Sequence, residues 1–151
     1  MNNLILNTNQ ACRVVGIDPD RLNENVSAGR MPCLPKTIRG RSREFSEHDL
    51  LTLYLFRKLL DRKVHAKMAG QLACWVSEKA RSYPDARYIS IVETAMPGNR
   101  NVWIFKDIFK SEEILEARFA GYPVEDVQHF DIKQIRETIA RRVAEELGGG
   151  E

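Results

Sequence analysis

Apolar side chains recur every three to four positions through residues 8–81, the period of helices that bury one face. Ala11, Cys12 and Val15 predict a short helix that begins at a Thr8 cap and stops at Gly16. Asp18 as a cap and Pro19 at the first helical position predict a second helix, with Leu22 inside it, running to about Ala28 and closed by Gly29. Ser46 with Asp49 three residues on has the form of a capping box, and Phe45 is placed to staple onto Leu50. The helix that follows carries Leu50, Leu53, Tyr54, Phe56, Leu59 and Leu60 on a wide apolar face and is the expected core helix. A fourth helix, from about His65 to Arg81, is expected to bury Met68, Leu72, Trp75 and Val76 and to stop before Tyr83-Pro84.

Beyond Pro84 the composition changes. Tyr88 to Thr94 and Val102 to Lys106 are β-branched and aromatic runs joined through Met96-Pro97-Gly98-Asn99-Arg100, the pattern of a hairpin. A short helix is expected from Ser111 to about Ala120, and Val127 to Phe130 offer another strand. Asp131 and Gln134 then form the cap of a last helix, stopped by Gly148-Gly149-Gly150. Its single stripe of Ile132, Ile135, Ile139, Val143 and Leu147 needs a partner. The expected class is therefore α+β, with a helical domain over residues 1–80 and a small α+β domain over 84–151, carrying the hairpin and the C-terminal amphipathic helix.

Charge sharpens this division. The net charge of +2 is unevenly placed: residues 1–75 sum to +5 and residues 76–151 to −3. Between Glu24 and Glu44 there is no acidic residue, yet Arg30, Lys36, Arg39, Arg41 and Arg43 all fall there. This segment, too rich in Pro and Gly for a helix, is expected to be a loop and small hairpin. Short helix, turn with Gly16-Ile17, short helix, basic hairpin and long helix is the order in which a winged helix-turn-helix is assembled.

On these residues the sequence resembles the MerR-like family of DNA-binding domains, and also excisionases and phage terminase small subunits that use similar domains. The matching positions are Ala11, the Gly16-Ile17 turn, Asp18-Pro19, Leu22, Gly29, and Gly40-Arg41-Ser42-Arg43-Glu44-Phe45-Ser46 leading to Asp49-Leu50, so the resemblance covers residues 5–80 or so. It implies a winged helix-turn-helix whose second helix enters the major groove of double-stranded DNA while the wing follows the neighbouring backbone or minor groove. Arg21 and Asn25, four apart on that helix, are then the candidates for base edges, since Asn suits adenine and Arg suits guanine or a phosphate. Lys36 and the alternating Arg39, Arg41 and Arg43 are the candidates for phosphates. The expected function is sequence-specific DNA binding in transcription control, by a homodimer joined through the 131–147 helix stripe.

Two alternatives stand beside it. One is a mobile-element protein of the excisionase or terminase type. The other is a protein-interaction or ligand-sensing module, motivated by Asn23, Glu24 and Asn25 where backbone anchors are expected. No enzyme is expected, because His48, His65 and His129 are scattered and no Gly-rich phosphate loop precedes a helix. Cys12, Cys33 and Cys74 show no paired spacing, so neither a disulfide framework, a metal site nor another cofactor is expected; Cys12 is assigned to the core and Cys33 to a loop. With no signal-peptide or membrane-spanning pattern, a reducing cytoplasm is the expected location. Among 151 residues, 43% hydrophobic and 29% charged positions exclude disorder and supply a real core.

Overall fold

A computed structural model describes residues 4–35, 40–98, 101–108 and 121–148. They form, in order, β1 (Ile5–Asn7), α1 (Thr8–Val15), α2 (Pro19–Ser27), β2 (Glu44–Ser46), α3 (Glu47–Asp61), α4 (Ala66–Ser82), β3 (Tyr88–Thr94), β4 (Val102–Lys106), β5 (Val124–Asp131) and α5 (Ile132–Gly148). The protein is thus of mixed α+β class, with five helices and two small antiparallel sheets among the described residues. It divides into two compact units, one made of Met1–Ser77 with Ile135–Glu151 and one of Glu78–Gln134.

In the first unit, α1 is capped by Asn7 rather than Thr8. The Asn7 side chain accepts from the Gln10 amide at 2.9 Å and the Gln10 side chain accepts from the Asn7 amide at 3.0 Å. This reciprocal pair satisfies two amides at once, which leaves Thr8 as the first helical residue. Gly16 ends α1 in the left-handed region (φ +80°), and its amide donates to the Cys12 carbonyl. Pro19 then opens α2, although the Asp18 side chain makes no capping hydrogen bond. Ser46 and Asp49 form the expected box at the start of α3, where Phe45 and Leu50 are both buried.

The strand β2 pairs antiparallel with β1 in the register Leu6↔Phe45. The hairpin expected within residues 30–45 is therefore replaced, over the described residues, by a turn at 31–34 and a strand whose partner is the N-terminal segment. Its three residues alternate with only Phe45 inward, as do those of β1 with Leu6, so one face of this two-stranded sheet is core. Lys36, Arg39 and the expected 111–120 helix lie outside the described residues.

Helix α4 buries Ala69, Leu72, Ala73, Val76 and Ala80, but Met68 and Trp75 are 37% and 39% exposed, against expectation. At Gly70 the backbone of the preceding turn comes close to the helix. A Cβ on Gly70 would sit 2.0 Å from the Arg30 carbonyl oxygen. Met68 and Trp75, seven residues apart, share the opposite side.

The C-terminal helix α5 belongs to the first unit over most of its length. Ile135, Ile139 and Val143 are buried within the single chain. Arg142 donates to the Val14 carbonyl at 3.2 Å and lies over the Tyr54 ring, and Arg13 meets Glu146 at 2.6 Å. The apolar stripe thus finds its partner in its own chain, which removes Ile135, Ile139 and Val143 as a dimer seam. Leu147 alone of the stripe is exposed. Sequence periodicity shows that such a stripe needs a cover, not whether the cover is the same chain or another.

In the second unit the strand order is β4-β3-β5. The β3–β4 register, with Ile91 opposite Ile104, is that of the expected antiparallel pair, and β5 extends three residues before Val127 to flank β3 on its other side. Ile132, also counted in the expected seam, is buried here, and its amide donates to the Arg87 carbonyl.

Candidate nucleic-acid interface

Helix α2 presents Asp20, Arg21, Asn23, Glu24 and Ser27 outward and turns Leu22 and Asn25 inward. Asn25 is only 3% exposed. Its Nδ2 donates to the Arg21 carbonyl at 2.9 Å, and its Oδ1 accepts from an Arg30 guanidinium nitrogen at the same distance. The Arg30 amide in turn donates to the Asn25 carbonyl. The side chain expected to read adenine is therefore a latch that fastens the end of α2 to the turn that follows. Its position three residues after Leu22 explains this, since both fall on the same buried flank, while Arg21 stays exposed.

Asn23, by contrast, has a role that its sequence position did not announce. Arg43 donates to the Asn23 Oδ1 at 2.6 Å, joining α2 to the segment that leads into β2. No local pattern signals this bond across 20 residues; only the pairing of β1 with β2, which fixes where Arg43 emerges, brings the two together. Gly40 turns the chain at φ +80°, and from there Arg41 points to solvent while Arg43 is half-buried. Both line an open depression of about 530 Å³ whose wall also includes Ile5, Pro35 and Glu44. The structure thus brings Arg43 to α2 and exposes Arg21 and Arg41; it withdraws Asn25.

Among the described residues Ser90 lies 2.7 Å from His129 Nδ1, and the serine is fully buried in the second unit's sheet. The Ser90 hydroxyl gives its single hydrogen to the Asp107 carbonyl at 2.6 Å, so it receives a hydrogen bond from His129. That polarity is the reverse of what proton abstraction from serine requires. Among the described residues no cluster of three His, Cys, Asp or Glu can hold a metal ion.

The cysteines depart from expectation. Cys33, in the 31–34 turn, is joined to Cys74 of α4 by a disulfide, with a Cα–Cα distance of 5.7 Å, and only Cys12 keeps a buried thiol. A pair separated by 41 residues carries no spacing signal. What creates it is Gly70, one turn before Cys74, which admits the Arg30–Met31 backbone against α4. Burial, with the Asp18 charge as a smaller contribution, pushes the Cys12 thiol up to about 11.

No protein-family model matches the chain, and no curated protein matches it. No helix among the described residues is long and apolar enough to cross a membrane.

Proposed function

We propose that this chain is a double-stranded DNA-binding protein of the winged helix-turn-helix type, acting in transcription control in the cytoplasm. Helix α2 is the element that enters the major groove, and the basic segment ending at Arg43 follows the backbone. The observation that carries this reading is the Arg43–Asn23 hydrogen bond, which sets the last cation of the basic segment against the outer face of α2. Arg21 and Arg41 are exposed on those two elements. Specificity from one short helix is limited, so two copies on half-sites one DNA turn apart, about 34–36 Å, complete the reading.

The test is duplex binding across a salt series, comparing the native chain with a variant in which Arg39, Arg41 and Arg43 are changed together to Ala. Each phosphate contact contributes about 0.9 to the log–log salt slope, so losing three lowers it by about 2.7 per chain. An unchanged slope, or no duplex binding by the native chain, rejects the proposal and leaves the protein-interaction module.

A second reading is favoured by Asn25. With its amide consumed inside the fold, α2 offers few groups to base edges, and Glu24 is exposed beside Arg21. This suits a mobile-element protein of the excisionase or terminase type, held mainly by phosphates. A low ratio of specific to non-specific affinity at physiological salt, well under about 10³, selects it over the regulator.

A further inference from the structure

The bond between Cys33 and Cys74 joins two sulfurs in unlike surroundings. Cys74 is buried on α4, whereas Cys33 is half-exposed in a surface turn beside exposed Pro32. The turn is also fastened without it. Met31 and Leu34 are buried on either side of Cys33, the Leu34 amide donates to the Met31 carbonyl at 3.1 Å, and Arg30 is bonded twice to Asn25. The first unit has a large apolar core, including Phe45, Phe56, Leu22 and Leu59, that owes nothing to the cross-link. One disulfide beside a buried free thiol is also unlike the dense frameworks of small domains that need such bonds to fold.

We propose that Cys33–Cys74 is a reversible thiol–disulfide centre, taking electrons from small soluble thiols of the glutathione type, whose state sets the order of the 30–34 turn. A glutathione thiolate attacks the accessible Cys33 Sγ, a mixed disulfide forms there, and Cys74 leaves as a thiolate that takes up a proton. A second glutathione thiolate attacks the glutathione sulfur of that mixed disulfide, releasing glutathione disulfide and Cys33 as a thiolate that takes up a proton. Two electrons pass to the protein and two thiols are made. The remaining anchors hold the fold, while the turn loses its tie to α4 and opens more often. This inference does not depend on the DNA-binding reading.

The test is a series of glutathione and glutathione disulfide mixtures, with thiols counted by alkylation and mass, circular dichroism for the fold, and amide exchange at Arg30 and Leu34. The expected result is that exactly this pair titrates, with one midpoint from either direction. The circular dichroism stays unchanged, and exchange at the two amides is faster in the reduced form by on the order of tenfold. The Cys33→Ser chain should fold and show the faster exchange at every mixture. Resistance to glutathione throughout, loss of the fold on reduction, or failure of the thiols to close overturns the proposal. So does protection of Arg30 and Leu34 in Cys33→Ser equal to that of the oxidised chain.

Discussion

Replacing Gly70 by Ala sets two effects of opposite sign against each other, and the structure says which prevails. In a helix interior the exchange is normally favourable by about 1 kcal/mol, because Ala restricts the unfolded chain and suits the helix. Here the added Cβ would lie 2.0 Å from the Arg30 carbonyl oxygen, 2.8 Å from its carbon and 3.2 Å from Met31 Cγ. Ordinary carbon–oxygen contact is about 3.3 Å, so a gap of more than an ångström must open. The two nearest obstructing atoms are backbone, held by the Arg30–Asn25 hydrogen bonds on one side and by the Cys33–Cys74 bond on the other. Overpacking of this kind costs about 3 kcal/mol when neighbours yield poorly, so the net destabilisation is about 2 kcal/mol. That corresponds to a fall in Tm of roughly 4–8 °C if the chain melts as one, and roughly 8–16 °C if the first unit melts by itself. Urea unfolding followed by Trp75 fluorescence in a Trp103→Phe background reads the first unit alone, and the midpoint should fall with the slope unchanged. If Gly70→Ala is as stable as the parent, or more so, the close approach of α4 to Arg30 is not as described.

Asn25→Ala should lose about 1–3 kcal/mol by leaving Arg30 and the Arg21 carbonyl without their partner, whereas exposed Arg21→Ala should stay within about 0.5 kcal/mol; equal melts for the two refute the latch. Glu146 is held below its ordinary 4.5 by its hydrogen bond and ion pair with Arg13. The tether it makes is therefore complete above that value and is lost as pH falls through the lowered folded value. Amide exchange in the last turns of α5 should accelerate over that acid range in the native chain but show no such step in Glu146→Gln. With its thiol pushed up to about 11, Cys12 should resist iodoacetamide at pH 8 until urea unfolds the first unit. Rapid labelling of the folded chain would place it outside the core.

Much of the fold follows from signals of short range. Gly16, Pro19, the Ser46–Asp49 box and the β-branched run in Tyr88–Thr94 act within a few residues of themselves, so each fixes its own element. The interface was less legible because its decisive facts are pairings across distance. Leu6 opposite Phe45 turns a supposed hairpin into a strand shared with the N-terminal segment. Arg43 reaches Asn23, and Cys33 reaches Cys74, only because those pairings and the Gly70 approach carry them there. Asn25 shows the same limit within one helix. Its spacing from Arg21 and from Leu22 fits either face, and burial decided.

The return of α5 to the first unit fixes an order of events during synthesis. Residues 78–134 are made whole before the first unit has all of its parts, because Ile135, Ile139 and Val143 emerge last. At about 5–20 residues per second, the gap from Ser77 to the end of α5, on the order of 70 residues, lasts roughly 4–14 s. Throughout it the surface that α5 will cover, around Leu51, Tyr54 and the Val14 carbonyl, stands open to water and to other chains. A fragment cut at Pro84 would hold that nascent condition permanently, and should aggregate more readily than the whole chain.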